Sequence, residues 1–132
     1  MRRVNLAIAG LLILTAPGCA TPLTSETQIR TAFSGNTVSG IDEGEQYFEY
    51  YAPDGSIHGQ NTKEVYSGEW RVSGSNLCMR YYEDETIVGE EKETSLSAWK
   101  CYGVDVTGSK MNWIEDGERY PAELTAGNPH RL

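Results

Sequence analysis

From Asn36 onward the chain is written in short runs of alternating apolar and polar residues, each closed by a turn signal, and this punctuation constrains the fold more than any other feature. Thr37–Ile41, Gln46–Tyr51, Glu69–Val72, Leu77–Tyr82, Leu96–Val106, Lys110–Ile114 and Arg119–Leu124 read as strands, with short return strands at Ile57–Gln60 and Lys63–Tyr66. Asp42–Glu45, Pro53–Ser56, Ser73–Asn76, Thr107–Ser109 and Glu115–Glu118 read as turns; the Asp116–Gly117 pair is a hairpin signal. Residues 86–95 carry the weakest pattern, and the charged run from Glu90 to Glu93 is expected to be exposed. Runs this short and evenly spaced connect sequentially and antiparallel. The expectation is an all-β chain: a small up-and-down barrel or strongly curved sheet of about seven or eight strands, with a two-layer sandwich as the alternative.

One short helix precedes the strands. Ser25 is a candidate N-cap (Thr24 the alternative), with Gln28 at the capping-box position. Ile29, Ala32 and Phe33 then share a face at i, i+3, i+4 spacing, and Ser34–Gly35 stops the helix. Such a helix is placed to plug one end of the β-structure.

The start of the chain has a different character. Arg2 and Arg3 precede an apolar run from Val4 to Leu14, then small residues up to Cys19. This is the layout of an export signal over residues 1–18, and the run is shorter than the about 20 residues that span a bilayer. Ala16-Pro17-Gly18-Cys19 fits a lipoprotein signal in which Cys19 becomes the acylated first residue. Gly18-Cys19-Ala20 also fits a cut before Thr21, which would discard the cysteine. Residues 19–25 then form a tether, 26–126 a single β-domain, and 127–132 a flexible tail. Localisation follows as the periplasmic face of an outer membrane, or as soluble periplasmic or secreted protein.

In either case the exported domain keeps two cysteines, Cys78 and Cys101, the number one disulfide needs. A redox or metal pair is the other use of two cysteines, but neither belongs to a Cys-x-x-Cys and no histidine is near either in sequence. The domain without Arg2 and Arg3 has nine basic and nineteen acidic side chains, a formal charge of −10. That charge repels phosphate backbones and argues against nucleic acid as a partner.

Chemistry-bearing motifs are sparse. Of the two histidines, His58 follows a turn and His130 lies in the expected tail. An enzyme would have to rest on His58 with a nearby acid, and no Gly-x-Ser-x-Gly elbow accompanies it. The acidic runs are turn-like and match no calcium loop, so no metal site, cofactor or catalytic residue is assigned. The aromatic residues are more informative. With Trp70, Trp99 and Trp113 taken as interior, Tyr47, Tyr51, Tyr66, Tyr82 and Tyr102 fall on polar faces and form a candidate ligand or partner surface. In the second strand Phe48 and Tyr50 share one face, and Tyr47, Glu49 and Tyr51 the other.

Gly35-Asn36-Thr37-Val38, Tyr50-Tyr51-Ala52-Pro53-Asp54-Gly55, Gly68-Glu69-Trp70-Arg71-Val72, Leu77-Cys78 and Lys100-Cys101-Tyr102 together resemble the family of small exported proteobacterial proteins known as domain of unknown function 995. The resemblance covers roughly residues 24–115 and implies an envelope protein with a paired-cysteine β-domain; it carries no activity to transfer. The expected function is a non-enzymatic envelope binding or interaction module, with an unknown small ligand or envelope protein as partner and the membrane reached through Cys19. The alternative is an acidic inhibitor of a cationic hydrolase such as lysozyme.

Overall fold

A computed structural model describes residues 21–83, 86–88, 91–93 and 95–132. The expected export signal and Cys19 lie outside the described residues, as do the side chains of the charged run at 90–93. Helix α1 (Glu26–Phe33) is followed by β1 (Asn36–Asp42), β2 (Glu45–Tyr51), β3 (Ser56–Asn61), β4 (Val65–Ser73), β5 (Asn76–Tyr81), β6 (Thr86–Val88), β7 (Glu91–Glu93), β8 (Lys100–Thr107), β9 (Lys110–Glu115) and β10 (Glu118–Ala126). Eight strands close into an antiparallel barrel in the order β1-β10-β9-β8-β5-β4-β3-β2, and β6 and β7 pair apart from it. The fold is therefore the barrel of the two architectures expected, with the short N-terminal helix.

Helix α1 forms for local reasons. Ser25 Oγ accepts the Gln28 backbone N–H at 3.1 Å, and the Gln28 side chain accepts the Ser25 N–H in return. Gly35, at φ 77°, ends it and turns its N–H onto the Tyr51 carbonyl at 2.7 Å. Ile29 and Phe33 are fully buried and drive into the barrel end, where Phe33 meets Tyr51 edge-on and Trp113 at a tilt. Val38, Ile57, Leu77 and Val104 complete this closed end from four strands.

The strands differ from expectation in three places. Residues 65–73 form one strand rather than two, because Gly68 continues the pairing: a Cβ there would lie 2.3 Å from the Arg80 carbonyl oxygen. Only glycine lets β4 lie so close to β5 at that point. The strand expected from Leu96 begins only at Lys100, with a single bridge between Tyr82 and Leu96 before it. Trp99, taken as interior, is on the outer face, with the guanidinium groups of Arg71 and Arg80 lying over its ring at 4.1 and 4.5 Å. A tryptophan can leave the core when cations pack onto its ring.

The Cys78–Cys101 disulfide is present, joining residues that are direct partners across β5 and β8. These strands pair only through Leu77–Tyr102, Cys78–Cys101 and Met79–Lys100. The bond thus staples the shortest seam of the barrel, at the base of the excursion that carries β6 and β7. Closing its 23-residue separation contributes about 3.4 kcal/mol on the chain-entropy relation. A disulfide of this structural kind is compatible with an oxidising, exported compartment.

Both ends of the described chain lie against the closed end of the barrel. Pro22 bridges to Asp105, and the Leu23 N–H donates to the Val104 carbonyl at 2.8 Å, so the tether is docked from Pro22 onward. The expected free tail is also tied back. The Gly127 N–H donates to Asn36 Oδ1 at 3.1 Å, Asn128 and Leu132 exchange two hydrogen bonds, and the His130 ring sits 4.1 Å from that of Phe48.

Candidate ligand-binding site

Among the described residues the other end of the barrel is open. The turns after β1, β3 and β9 and the long excursion after β5 surround a funnel of about 1750 Å³ that descends to Tyr47, Glu49, Tyr66, Met79, Tyr81 and Trp113. Eight-stranded barrels are just wide enough to be filled by side chains or to hold one small ligand. Here α1 and the closed-end core fill one half and leave the other to solvent.

Alternation sets the lining. Inward positions of β2 are Tyr47, Glu49 and Tyr51; those of β4 include Tyr66 and Trp70; those of β5 are Leu77, Met79 and Tyr81; and Tyr102 and Val104 face in from β8. Three of the tyrosines face glycines across the ladder: Tyr47 opposite Gly40, Tyr66 opposite Gly59 and Tyr81 opposite Gly68. A Cβ at Gly40 or Gly59 would fall 2.7 or 2.3 Å from the facing ring. The glycines let those rings lie flat along the barrel wall instead of across its lumen.

At the floor stands Glu49, only 6 % exposed. Its Oε2 accepts the Tyr51 hydroxyl at 2.7 Å, and its Oε1 accepts those of Tyr66 and Tyr81 at 2.8 and 2.9 Å. Three O–H donors converging on one carboxyl group suit an ionised, acceptor-only carboxylate. Burial acts the other way and outweighs them, raising the Glu49 pKa above its ordinary value. No cation among the described residues makes an ion pair with it. The same burial, with the Glu49 charge beside them, raises the hydroxyl pKa values of Tyr51, Tyr66 and Tyr81. Burial likewise pushes Tyr47 up to about 12, against the opposing effect of the hydrogen bond from Trp113 Nε1 at 3.1 Å.

Higher in the funnel the lining is acidic, with Asp42, Glu43, Glu45, Glu64, Glu83 and Glu115. Its two lysines are both engaged: Lys63 Nζ is 2.7 Å from Glu45, and Lys100 Nζ is 3.6 Å from Glu115. The lip also carries Ile41 and Val65, exposed by 74 % and 82 %.

The five tyrosines singled out from sequence therefore do not form an outer surface. Tyr47, Tyr66 and Tyr102 line the funnel from inside, Tyr51 is buried beneath it, and Tyr82 stands at the lip. Trp113 and Trp70 are interior as expected. Sequence reasoning missed Glu49, Tyr81 and Met79 as site residues. The available signal was Glu49 alternating with Tyr47 and Tyr51, together with in-strand glycines at 40, 59 and 68.

His58 is on the outer face, stacked on Tyr50, with Nε2 3.2 Å from Ser56 Oγ. Ser56 Oγ donates to Asp54 Oδ1 at 2.6 Å, so its proton points to the acid rather than to the imidazole. That order is not the one in which histidine activates a serine. A shallow groove along the exposed face of α1, between Glu26, Arg30 and Ser34, holds no buried polar group. Comparison of the chain with protein-family models, curated proteins and solved structures returns no match.

Proposed function

We propose that this protein is a non-enzymatic binding module of the cell envelope that takes a small molecule into the open end of its barrel. The observation that carries the reading is the division of the barrel into a filled half and an empty, aromatic-walled half with a buried carboxylate at its floor. Apolar walls with a few convergent polar groups are the usual composition of a small-molecule site. Holding Glu49 in a dry floor works against the charge it must bear, and a fold tolerates that at a place of use.

The closed end has a second role in this reading. With Cys19 acylated, only three residues separate the lipid from Pro22, which is docked on β8. That is a leash of at most about 10 Å. It would hold the closed end against the membrane and point the funnel into the periplasm.

Inhibition of a cationic hydrolase is the second reading, favoured by the acidic lip and by the exposed Ile41 and Val65 beside it. Native mass spectrometry of unreduced protein from its own envelope tests the first. The expected result is a chain beginning at acylated Cys19, two hydrogens lighter for the disulfide, carrying a non-covalent adduct of small-molecule mass. A bare chain that instead co-purifies stoichiometrically with a basic hydrolase would overturn it in favour of the inhibitor.

A further inference from the structure

Resting on the reading of the funnel as a ligand site, we infer that its ligand is an organic ammonium ion with an apolar tail, bound head-down against Glu49. Four observations converge on that class. The funnel lining carries seven carboxylates and two lysines, and both lysines are already paired with carboxylates. Glu49 is buried under three hydroxyl donors, with no counter-ion among the described residues. A buried charge is strongly disfavoured until something of opposite sign meets it, and a cation descending the funnel supplies that charge.

The walls suit the same head group. The rings of Tyr66 and Tyr81 stand 5.7 Å apart at 73° beside Glu49. The two rings meet edge to face and each turns its hydroxyl onto Glu49 Oε1. Aromatic surface gathered around a carboxylate in this way forms a partial cage that attracts alkylammonium groups through the ring quadrupole. The protein already holds one ammonium in this way higher in the funnel, where Lys100 Nζ is 5.1 Å from the Tyr102 ring and 3.6 Å from Glu115. Above the cage, Tyr47, Tyr102 and Trp113 offer aromatic surface to a tail, and Ile41 and Val65 extend it to the lip. An anionic ligand would face repulsion along the whole path. A metal ion would make little use of the aromatic walls, and no group of three or more metal-ligating side chains occurs among the described residues.

The test is calorimetric titration of the disulfide-bonded protein at neutral pH with three octyl compounds below their micellar concentrations: octyltrimethylammonium, octyl glucoside and octanoate. The cation is expected to bind at least about tenfold more tightly than the neutral compound, with octanoate weakest. Glu49→Gln should remove about tenfold from the cation and leave octyl glucoside unchanged. Equal binding of all three would overturn the ligand class while leaving the funnel as a site. No binding by any of them would remove the funnel reading with it. Loss of cation binding in Glu43→Gln/Glu64→Gln but not in Glu49→Gln would place the head at the lip and overturn the cage. Should Glu49→Gln not fold, the wild-type protein decides. Nuclear Overhauser contacts from the N-methyl protons to the rings of Tyr66 and Tyr81 are expected, and contacts confined to Ile41 and Val65 would contradict the assignment.

Discussion

The two ends of this barrel are built from the same strands and obey opposite rules. At the closed end the inward positions are Val38, Tyr51, Ile57, Leu77 and Val104, capped by Ile29 and Phe33 of α1, and the interior is filled. At the open end the inward positions are Tyr47, Glu49, Tyr66, Tyr81 and Tyr102, the interior is empty among the described residues, and a carboxyl group is buried at its floor beside Met79. Residues only a few positions apart on one strand thus answer to different demands. In β2, Tyr51 is packed against Phe33 and Trp70, whereas Tyr47, two inward positions away, lines the funnel. The closed half supplies stability, and it allows the open half to hold an arrangement that contributes little to it.

If that division is right, substitutions at the two ends should separate cleanly. The largest effect belongs to Phe33→Ala, which empties the centre of the closed end and should cost about 3–5 kcal/mol by denaturant unfolding. Its folded fraction should still bind in the funnel, and a specific loss of binding would blur the comparison. Cys78→Ala/Cys101→Ala should cost about 3 kcal/mol in the same measurement. The damage should localise to the β5–β8 seam, seen as faster amide exchange at Leu77 and Tyr102 than at the β1–β2 pairs. Gly59→Ala is the matching perturbation at the open end. Its methyl group displaces the Tyr66 ring into the lumen and off Glu49, an overpacking cost of about 1–3 kcal/mol, with binding reduced more than stability.

Acidity separates the ends more subtly. Glu49 holds a proton more tightly folded than unfolded, so its contribution to stability is fully present below the ordinary glutamate pKa and is lost as pH rises through its raised folded value. Glu69, held low by its hydrogen bonds from Arg80 on the outer wall, runs the other way. Its contribution is present above the ordinary pKa and is lost as pH falls through the lowered one. Thermal melts of the wild type should therefore decline as pH rises above the ordinary glutamate pKa and through the raised folded one. Glu49→Gln should flatten that decline and leave the acid limb attributed to Glu69 in place. An unchanged decline would assign it to other groups.

How much of this was legible in the sequence follows the range of the interactions. The helix, its cap and its stop were readable because Ser25, Gln28 and Gly35 act on neighbours a few residues away. The hairpin at Asp116–Gly117 was readable for the same reason, and both of these residues take positive φ. Cys78 and Cys101 were readable as a pair once Cys19 was set apart with the expected export signal. Alternation correctly grouped Tyr47, Glu49 and Tyr51 on one face, but it cannot say which face becomes the inside of a closed barrel. Assigning the tryptophans to the interior pushed the tyrosines outward. Trp99 breaks that premise because Arg71 and Arg80, distant in sequence, pack onto its ring. Glu49 carries no signal of its own in the sequence, since the hydroxyls that hold it come from β2, β4 and β5 and meet only when the barrel closes.

The most direct measurement is a carbon-detected titration of the Glu49 side-chain carboxyl, in the free protein and again with saturating octyltrimethylammonium. A buried anion awaiting a cation should show its inflection above the ordinary glutamate value when free, and should be drawn down when the ammonium binds the ionised form. An inflection at or below the ordinary value in the free protein, unmoved by the cation, would mean that the tyrosine hydroxyls satisfy the charge by themselves. The floor of the funnel would then be structure rather than site.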